Sequence, residues 1–161
     1  MHPNAELITR FYEAFAQRDG ASMAACYADD ASFSDPVFPG LEGVEPGAMW
    51  RMLTEQGKDL QITFSDVRAD DASGSAHWEA TYTFSVTGRK VHNVIDAKFR
   101  FRDGKIAEHR DHFDLYRWTR MALGPAGTLL GWSPVVQGPL RKKARAGLND
   151  WMRKNGVGGQ G

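Results

Sequence analysis

The chain is poor in cysteine, and this limits what can hold its fold together. Cys26 is the single cysteine among 161 residues, so an intrachain disulfide is excluded. A chain of this length buries roughly 70% of its unfolded surface and needs neither a disulfide nor a metal to fold. Cys26 lies in an apolar helical stretch, which favours a buried thiol in a reducing compartment over a nucleophile.

The chain also lacks an excess of either charge and any long apolar run. Twenty Lys and Arg residues balance twenty Asp and Glu residues, so nothing in the net charge attracts nucleic acid. No segment approaches the ~20 apolar residues that a membrane-spanning helix needs, and the N-terminus has no apolar signal core. We therefore expect a soluble, cytoplasmic protein that does not bind nucleic acid.

The motifs of phosphate, nucleotide and metal chemistry are missing as well. The sequence contains no glycine-rich phosphate loop, nucleophile elbow or dinucleotide fingerprint. His109 and His112 have neither the spacing nor the cysteine partners of a structural zinc site, and strand alternation would put them on opposite faces. We expect no metal site and no cofactor.

The first 60 residues predict helices with one short strand between them. Residues 21–28 read as a second helix, and residues 31–35 as a strand that ends at the Pro36 loop. A third helix is expected around Trp50. The first helix, residues 4–18, is predicted from apolar side chains at helical spacing, which are Leu7, Ile8, Phe11 and Phe15.

After residue 60 the spacing of the apolar residues changes from a helical period to the alternation typical of strands. Tight turns at Thr87-Gly88 and Asp103-Gly104 separate successive runs. Helices followed by an antiparallel meander predict an α+β fold, with residues 1–120 as one domain and residues 121–161 as a C-terminal helical extension. A strongly curved sheet around the N-terminal helices would leave one internal pocket. The four predicted strands are residues 61–68, 75–86, 91–102 and 105–116.

Alternation along these strands predicts which side chains face the pocket, because neighbouring strand residues point to opposite sides. The last strand would turn His109, Asp111 and Phe113 inward. The inner faces of the two strands before it carry Trp78, Ala80, Tyr82, Phe84, Asn93, Ile95, Ala97 and Phe99. The convex outer face carries His92, Val94, Glu108 and Arg110.

The C-terminal extension contains a predicted amphipathic helix over residues 139–154. We expect its apolar stripe to dock on the main domain or to cover a dimer interface. Contact with a membrane surface, which basic amphipathic helices can make, and closure over the pocket are the alternatives. Residues 156–161 are predicted to be disordered. The stripe consists of Leu140, Ala144, Leu148, Trp151 and Met152.

Three segments resemble a known superfamily, the nuclear transport factor 2-like proteins. ADDASFSDP, residues 28–36, is similar to the helix-to-strand signature of ketosteroid isomerases and SnoaL-like polyketide cyclases. FRFRDGKI, residues 99–106, resembles a hairpin that these families share, and RDHFDL, residues 110–115, resembles the last strand of limonene epoxide hydrolases. The resemblance covers roughly residues 5–116 and implies a cone-shaped fold that hosts isomerases, cyclases, hydrolases and binding proteins.

The resemblance to the isomerases also implies roles for particular residues. Asp35 matches their general base, which moves a proton alpha to a ketone. Phe11 stands where they carry an oxyanion tyrosine, with Tyr12 beside it, and Ala97 stands where they carry a protonated aspartic acid. Without those donors a developing enolate loses its largest stabilisation.

The resemblance to the epoxide hydrolases and cyclases points to another residue. Asp111 matches the aspartate that activates water in the hydrolases, and the acid that serves as base in the cyclases. The hydrolases' arginine and second aspartate fall at Ala80 and Tyr82. Asp35 stands where they use an asparagine.

The catalytic candidates from the sequence are Asp111, Asp35 and His109. A carboxylate on an apolar inward face is costly to bury unless it is protonated, paired or used, so a structural salt bridge is the alternative for Asp111. Asp35 precedes a proline, which is also ordinary turn chemistry. His109 could transfer protons near neutral pH, or could be a core histidine with its hydrogen bonds satisfied.

The candidate substrate contacts are aromatic and polar residues of the same interior. Tyr82 and Asn93 would bond a substrate oxygen. The remaining candidates would line the pocket, with ordinary core packing as the alternative: Phe11, Tyr12, Trp50, Trp78, Phe84 and Phe113.

Three functions fit these observations. The first is a cofactor-free acid–base enzyme acting on a hydrophobic ketone, polyketide, terpenoid or epoxide-like molecule. The second is a binding protein with the same pocket and no turnover, and the third is a dimeric interaction module. A raised pKa at Asp35 or Asp111 would favour the enzyme, and the resemblance implies a homodimer across the convex face.

Overall fold

The computed structural model describes residues 1–158 and confirms the predicted α+β class. Residues 159–161, the end of the segment predicted to be disordered, lie outside the described residues. In chain order the elements are α1 Pro3–Ala16, α2 Gly20–Ala25, β1 Tyr27–Ser34, β2 Leu41–Glu42, α3 Glu45–Gln56, β3 Gln61–Ala69, β4 Ser73–Phe84, β5 Arg89–Arg102, β6 Lys105–His112, α4 Leu115–Leu123, α5 Pro125–Leu130 and α6 Pro134–Lys154.

The six strands form one sheet in the order β2-β1-β6-β5-β4-β3. The antiparallel meander β3 to β6 is as predicted. Strand β1 adds to it in an unpredicted way, because it pairs parallel to β6. This pairing places Phe33 beside His109 and Ser34 beside Arg110.

The second helix and the first strand differ from the sequence prediction. Helix α2 ends at Ala25, and β1 already begins at Tyr27, so the predicted helix over residues 21–28 is too long. The register of β1 against β6 shifts between Tyr27 and Ser32, and such an irregularity breaks the simple alternation that a sequence pattern relies on. As a result Tyr27 and Phe33 both contribute to the core.

The main core lies between the concave face of the sheet and helices α1 and α3. It joins the apolar stripe of α1 to the inward side chains of β4, β5 and β6. A second cluster, under α4, consists of Val91, Leu115, Trp118 and Ala122. Val37, Tyr82 and Phe113 contact both clusters. Helix α4 therefore covers the edge of the interior that these three residues form.

The end of β6 and the start of α6 also correct the sequence prediction. Strand β6 stops at His112 rather than continuing to residue 116, because the Asp114 carboxylate accepts the Arg117 backbone N–H at 3.0 Å and starts α4. This cap satisfies an N–H that the first turn of a helix leaves free. Helix α6 begins at Pro134 and continues through Pro139, which the prediction took as its start.

Helix α6 packs along α3 through its apolar stripe. Leu148 is fully buried, and the Trp151 indole N–H donates to a Glu55 carboxylate oxygen at 2.8 Å. Val157 packs against the main core, so the described part of the tail is ordered against the domain. None of the helices in residues 1–158 has the length and apolar character needed to cross a membrane.

The convex face of the sheet carries the polar residues predicted to lie there. His92 and Arg110 are exposed, and Val94 and Glu108 are half-buried. The homodimer across this face stays a prediction.

Candidate functional site

Strand β6 carries the two groups at the centre of the candidate site. The predicted alternation places His109 and Asp111 on the inner face, and their residues are 0% and 3% exposed. Arg110 and His112 between and beyond them face solvent. Five aromatic rings surround the His109 imidazole with centroids 4.3 to 6.2 Å away, those of Phe11, Tyr27, Phe33, Trp50 and Phe99.

A chain of hydrogen bonds connects four side chains in this interior. The Trp50 indole N–H donates to the Tyr27 hydroxyl oxygen at 2.8 Å. That oxygen lies 2.7 Å from Nδ1 of His109, and Nε2 of His109 lies 2.8 Å from Oδ1 of Asp111. We call Tyr27, His109 and Asp111 the buried relay.

The partners of the buried relay fix where its protons lie. Since the Tyr27 oxygen already accepts from Trp50, its own proton has one acceptor within reach, Nδ1 of His109. A neutral imidazole that accepts at Nδ1 carries its proton on Nε2. His109 therefore donates from Nε2 to Oδ1 of Asp111. The Tyr27 hydroxyl and both ring nitrogens of His109 then have partners, as buried polar groups require.

Two polar atoms in the same interior have no partner. Oδ2 of Asp111 and the hydroxyl of Tyr12 are buried and make no hydrogen bond within residues 1–158. The Trp78 indole N–H reaches Oδ1 of Asp111 at 3.4 Å rather than Oδ2. Burial and then the Asp111 charge raise the pKa of Tyr12 well above its ordinary value. One free acceptor and one free donor thus lie near each other, both beside the Trp78 ring.

Asp35 directly follows β1, the strand next to β6. The last pair of the two strands, Ser34 with Arg110, immediately precedes Asp35 and Asp111 in sequence. The Asp35 carboxylate accepts the backbone N–H groups of Val37 and Phe38 at 2.7 and 2.6 Å. Burial, assisted by the Asp111 charge and opposed by these hydrogen bonds, raises the pKa of Asp35 to about 6.

Aromatic rings fill the hollow that the sequence predicts as a pocket. Phe11, Tyr12, Trp50 and Trp78 are each at most 6% exposed and pack against one another. The predicted internal pocket is thus occupied by the chain's own side chains. A surface groove of about 870 Å³ lies on the outer side of the sheet, and its lining includes Lys98, Arg100, Glu108 and Arg110.

The other predicted contacts lie nearer to α4. The Tyr82 hydroxyl accepts the Trp118 indole N–H at 2.7 Å, so this tyrosine joins the sheet to α4. Phe113 packs between the two clusters, and Phe84 packs edge-on against Trp118, away from the relay. Asn93 is 8% exposed and faces inward from β5.

Tyr27 is the member of the site that sequence reasoning missed. Its position after Cys26 fits the apolar face of the predicted helix. That pattern gives no indication that the Tyr27 hydroxyl has a polar partner. The parallel pairing of Tyr27 with Ile106 brings it towards His109, 82 positions further along the chain. A sequence signal for that pairing does not exist in either strand alone.

Among residues 1–158 no three His, Cys, Asp or Glu side chains are arranged to hold a metal ion.

Comparison with protein families agrees with the fold. The SnoaL-like domain model matches residues 8–109, more than half of the chain. The chain belongs to the SnoaL-like domain family. The match runs from α1 to His109, so α4, α5 and α6 lie beyond it. No curated protein matches this SnoaL-like chain.

Solved structures share the fold at low identity. An NTF2-like protein of unknown function from Burkholderia pseudomallei is 19% identical with a TM-score of 0.65, over 75% of this chain and 98% of that chain. An LEH-like epoxide hydrolase from M. tuberculosis is 19% identical with a TM-score of 0.63, over 81% and 97%.

A third solved structure comes from Catenulispora acidiphila. This protein with a ketosteroid isomerase-like fold, in complex with trimethylamine, is 15% identical with a TM-score of 0.65, over 80% of this chain and 98% of that chain. These similarities confirm the predicted nuclear transport factor 2-like cone. Proteins of this fold are described both as polyketide cyclases and as epoxide hydrolases.

Proposed function

We propose that this SnoaL-like protein is a cofactor-free acid–base enzyme acting on a small hydrophobic molecule. The observation that carries the proposal is Asp111, a buried carboxylate with one oxygen held by His109 and the other without a partner. An ionised group is costly to bury, and a free carboxylate oxygen among aromatic rings is placed to take a proton from a bound molecule.

The buried relay would position the Asp111 carboxylate to accept this proton. His109 donates to Oδ1 and orients the carboxylate, while Tyr27 fixes the histidine tautomer. Oδ2 would then act as the general base, either on a carbon next to a carbonyl or on a water molecule. The free hydroxyl of Tyr12 would donate to the oxygen on which charge develops, as preorganised donors do.

Asp35 would supply the acid. With its pKa raised to about 6, part of the Asp35 population keeps its proton near neutral pH. Neighbouring carboxyl groups that differ in protonation can divide the acid and base roles between them. Asp35 would protonate the substrate oxygen while Asp111 removes a proton on the other side.

The side chains around the free polar atoms indicate the class of substrate. Aromatic rings surround the free polar atoms, so the molecule would be hydrophobic with a ketone or epoxide oxygen. The interior is closed, so entry requires side chains to move. Val37, whose N–H bonds Asp35, packs with Tyr82 and Phe113 under α4, and this layer would be the entrance.

A binding protein without turnover is the second candidate. The free hydroxyl of Tyr12 and the free oxygen of Asp111 would hold a polar ligand equally well without any proton transfer. Such a protein would open for a ligand and release it unchanged.

An isotope-labelling screen separates the two candidates. Enones, cyclic polyketides and epoxides would be incubated in deuterated, oxygen-18 water with the wild type, with Asp111→Asn and with Asp103→Asn. Asp103 is exposed in the β5–β6 turn, at a positive φ of 52° that asparagine tolerates, so its variant is the matched control.

The labels report the reaction type. Deuterium at carbon indicates isomerisation or cyclisation, and oxygen-18 indicates hydrolysis. We expect Asp111→Asn to lower turnover by roughly 10² to 10⁴, and Asp103→Asn to leave it unchanged. Because Asp35 acts as the acid, kcat/KM should fall as the pH rises through about 6, and Asp35→Asn should remove that dependence.

Ligand-dependent stabilisation without any label in the product would refute the enzyme and support the binding protein. Turnover that survives Asp111→Asn would refute the role of this residue.

A further inference from the structure

The connection between α5 and α6 exposes a cluster of large apolar side chains. Leu129, Leu130, Trp132 and Val135 are 71%, 47%, 66% and 70% exposed. We call these four residues, which fall within seven positions, the apolar tip. Isolated exposed apolar residues are ordinary on protein surfaces, whereas a contiguous group marks a contact site.

The segment that carries the apolar tip is strongly basic. Residues 115–149 contain no Asp or Glu, although the whole chain has equal numbers of acidic and basic residues. Their net charge is +6, and the rest of the chain carries −6. Such an asymmetry points to an anionic partner on this side of the molecule. The six basic residues are Arg117, Arg120, Arg141, Lys142, Lys143 and Arg145.

Several exposed cations accompany the apolar tip. Arg89 and Arg120 line a surface cavity of about 480 Å³ together with Leu129. Lys142 and Lys143 are exposed further along α6. The ion pairs within residues 1–158 involve other arginines and lysines. The four cations Arg89, Arg120, Lys142 and Lys143 have no carboxylate partner among these residues.

We propose that the apolar tip and these four cations dock the protein on the surface of an anionic lipid bilayer. Trp and Leu side chains enter the boundary between headgroups and acyl chains, and nearby Lys and Arg attract anionic lipids. The apolar stripe of α6 cannot do this, because Leu148 and Trp151 pack on the domain. The contact is made by the connection at the start of α6.

A bilayer fits this surface better than a protein partner does. A stable protein interface uses about 20 to 30 residues on each side, whereas the apolar tip has four. Insertion into lipid requires only a few exposed side chains with cations around them.

Co-sedimentation with lipid vesicles tests the proposal. The full chain would be mixed with vesicles of phosphatidylcholine alone, and with vesicles that also contain phosphatidylglycerol. We expect binding to the anionic vesicles, roughly tenfold weaker binding to the neutral ones, and a loss of affinity as salt rises. Free inorganic phosphate at the same salt concentration should not compete, because the apolar contact needs a bilayer.

Two valines provide a matched pair of variants. Val135→Asp places a carboxylate in the apolar tip, and Val44→Asp makes the same change at an exposed valine before α3, 53% exposed. We expect Val135→Asp and Trp132→Ser to weaken vesicle binding roughly tenfold or more, and Val44→Asp to leave it unchanged. Lys142→Glu with Lys143→Glu should remove the preference for anionic vesicles.

Thermal melts of each variant verify that it remains folded. Equal binding by Val135→Asp and the wild type, or no binding to either vesicle, overturns the proposal. A dimer that Trp132→Ser dissociates in the absence of lipid also overturns it, because the apolar tip would then be an interface between two copies of the chain.

Discussion

Replacing Tyr27 with phenylalanine tests the buried relay directly. The hydroxyl accepts from Trp50 at 2.8 Å and bonds Nδ1 of His109 at 2.7 Å. Removing it leaves two polar groups unpaired in residues that are 3% and 0% exposed. Each unpaired buried group costs about 1–3 kcal/mol, so Tyr27→Phe should lower the free energy of unfolding by about 2–6 kcal/mol.

The loss is large enough for ordinary denaturation experiments. For a chain of this size 1 kcal/mol corresponds to about 2–4 °C, so Tm should fall by about 4–24 °C. Urea unfolding gives the free energy directly, with an unchanged slope if the native state is otherwise intact. Tyr116→Phe is the control, because its hydroxyl donates to the carbonyl of Thr128 at the surface and should cost about 0.5–1.5 kcal/mol.

Nuclear magnetic resonance of the imidazole nitrogens adds a readout that stability alone does not give. In the wild type the proton of neutral His109 should lie on Nε2, facing Asp111. A proton on Nδ1, or a cost below about 0.5 kcal/mol for Tyr27→Phe, would refute the assigned direction of the relay.

Two other predictions concern stability. Hydrogen bonds to Asp96 and then Glu79 raise the pKa of His77 above 6.5, so its stabilising contribution is complete below that pH and is lost as the pH rises through the raised value. His77→Gln should therefore lower Tm at about pH 5 and not at about pH 9, and equal losses at both would contradict the ion pairs. A Cβ on Gly20 would lie 2.5 Å from Oγ1 of Thr54 and 2.6 Å from Cα of Arg51. Gly20→Ala should cost about 1–3 kcal/mol in urea unfolding, whereas Gly147→Ala, with no atom within 4 Å, should stabilise by about 0.4–1 kcal/mol; equal effects would contradict the α2–α3 packing.

The meander was predictable because each of its strands carries its own signal. Alternation of polar and apolar residues along β4 and β5 identifies the inner face, and the same parity turns His109 and Asp111 inward and His112 outward. The turn at Asp103-Gly104 marks the hairpin, since both residues adopt positive φ.

The features that were not predicted depend on contacts between distant segments. The parallel pairing of β1 with β6 leaves no local trace, so the sequence pattern extends the second helix over Tyr27 and predicts no polar partner for it. The closed interior was not foreseeable either, because the alternation that turns Trp78 inward does not say how far a ring from α1 or α3 extends to meet it. Such packing decides whether a curved sheet encloses a hollow or a core.

The parallel pairing of β1 with β6 also constrains how the protein forms on the ribosome. Tyr27 emerges early but pairs with Ile106 and His109, about eighty residues later. Until β6 has left the exit tunnel, the inner face of the nascent sheet and the edge of β1 lack their partners. Contacts between such distant residues slow folding and prolong the exposure of apolar surface. Since the same residues build the buried relay, completion of the sheet and assembly of the candidate site are a single late event.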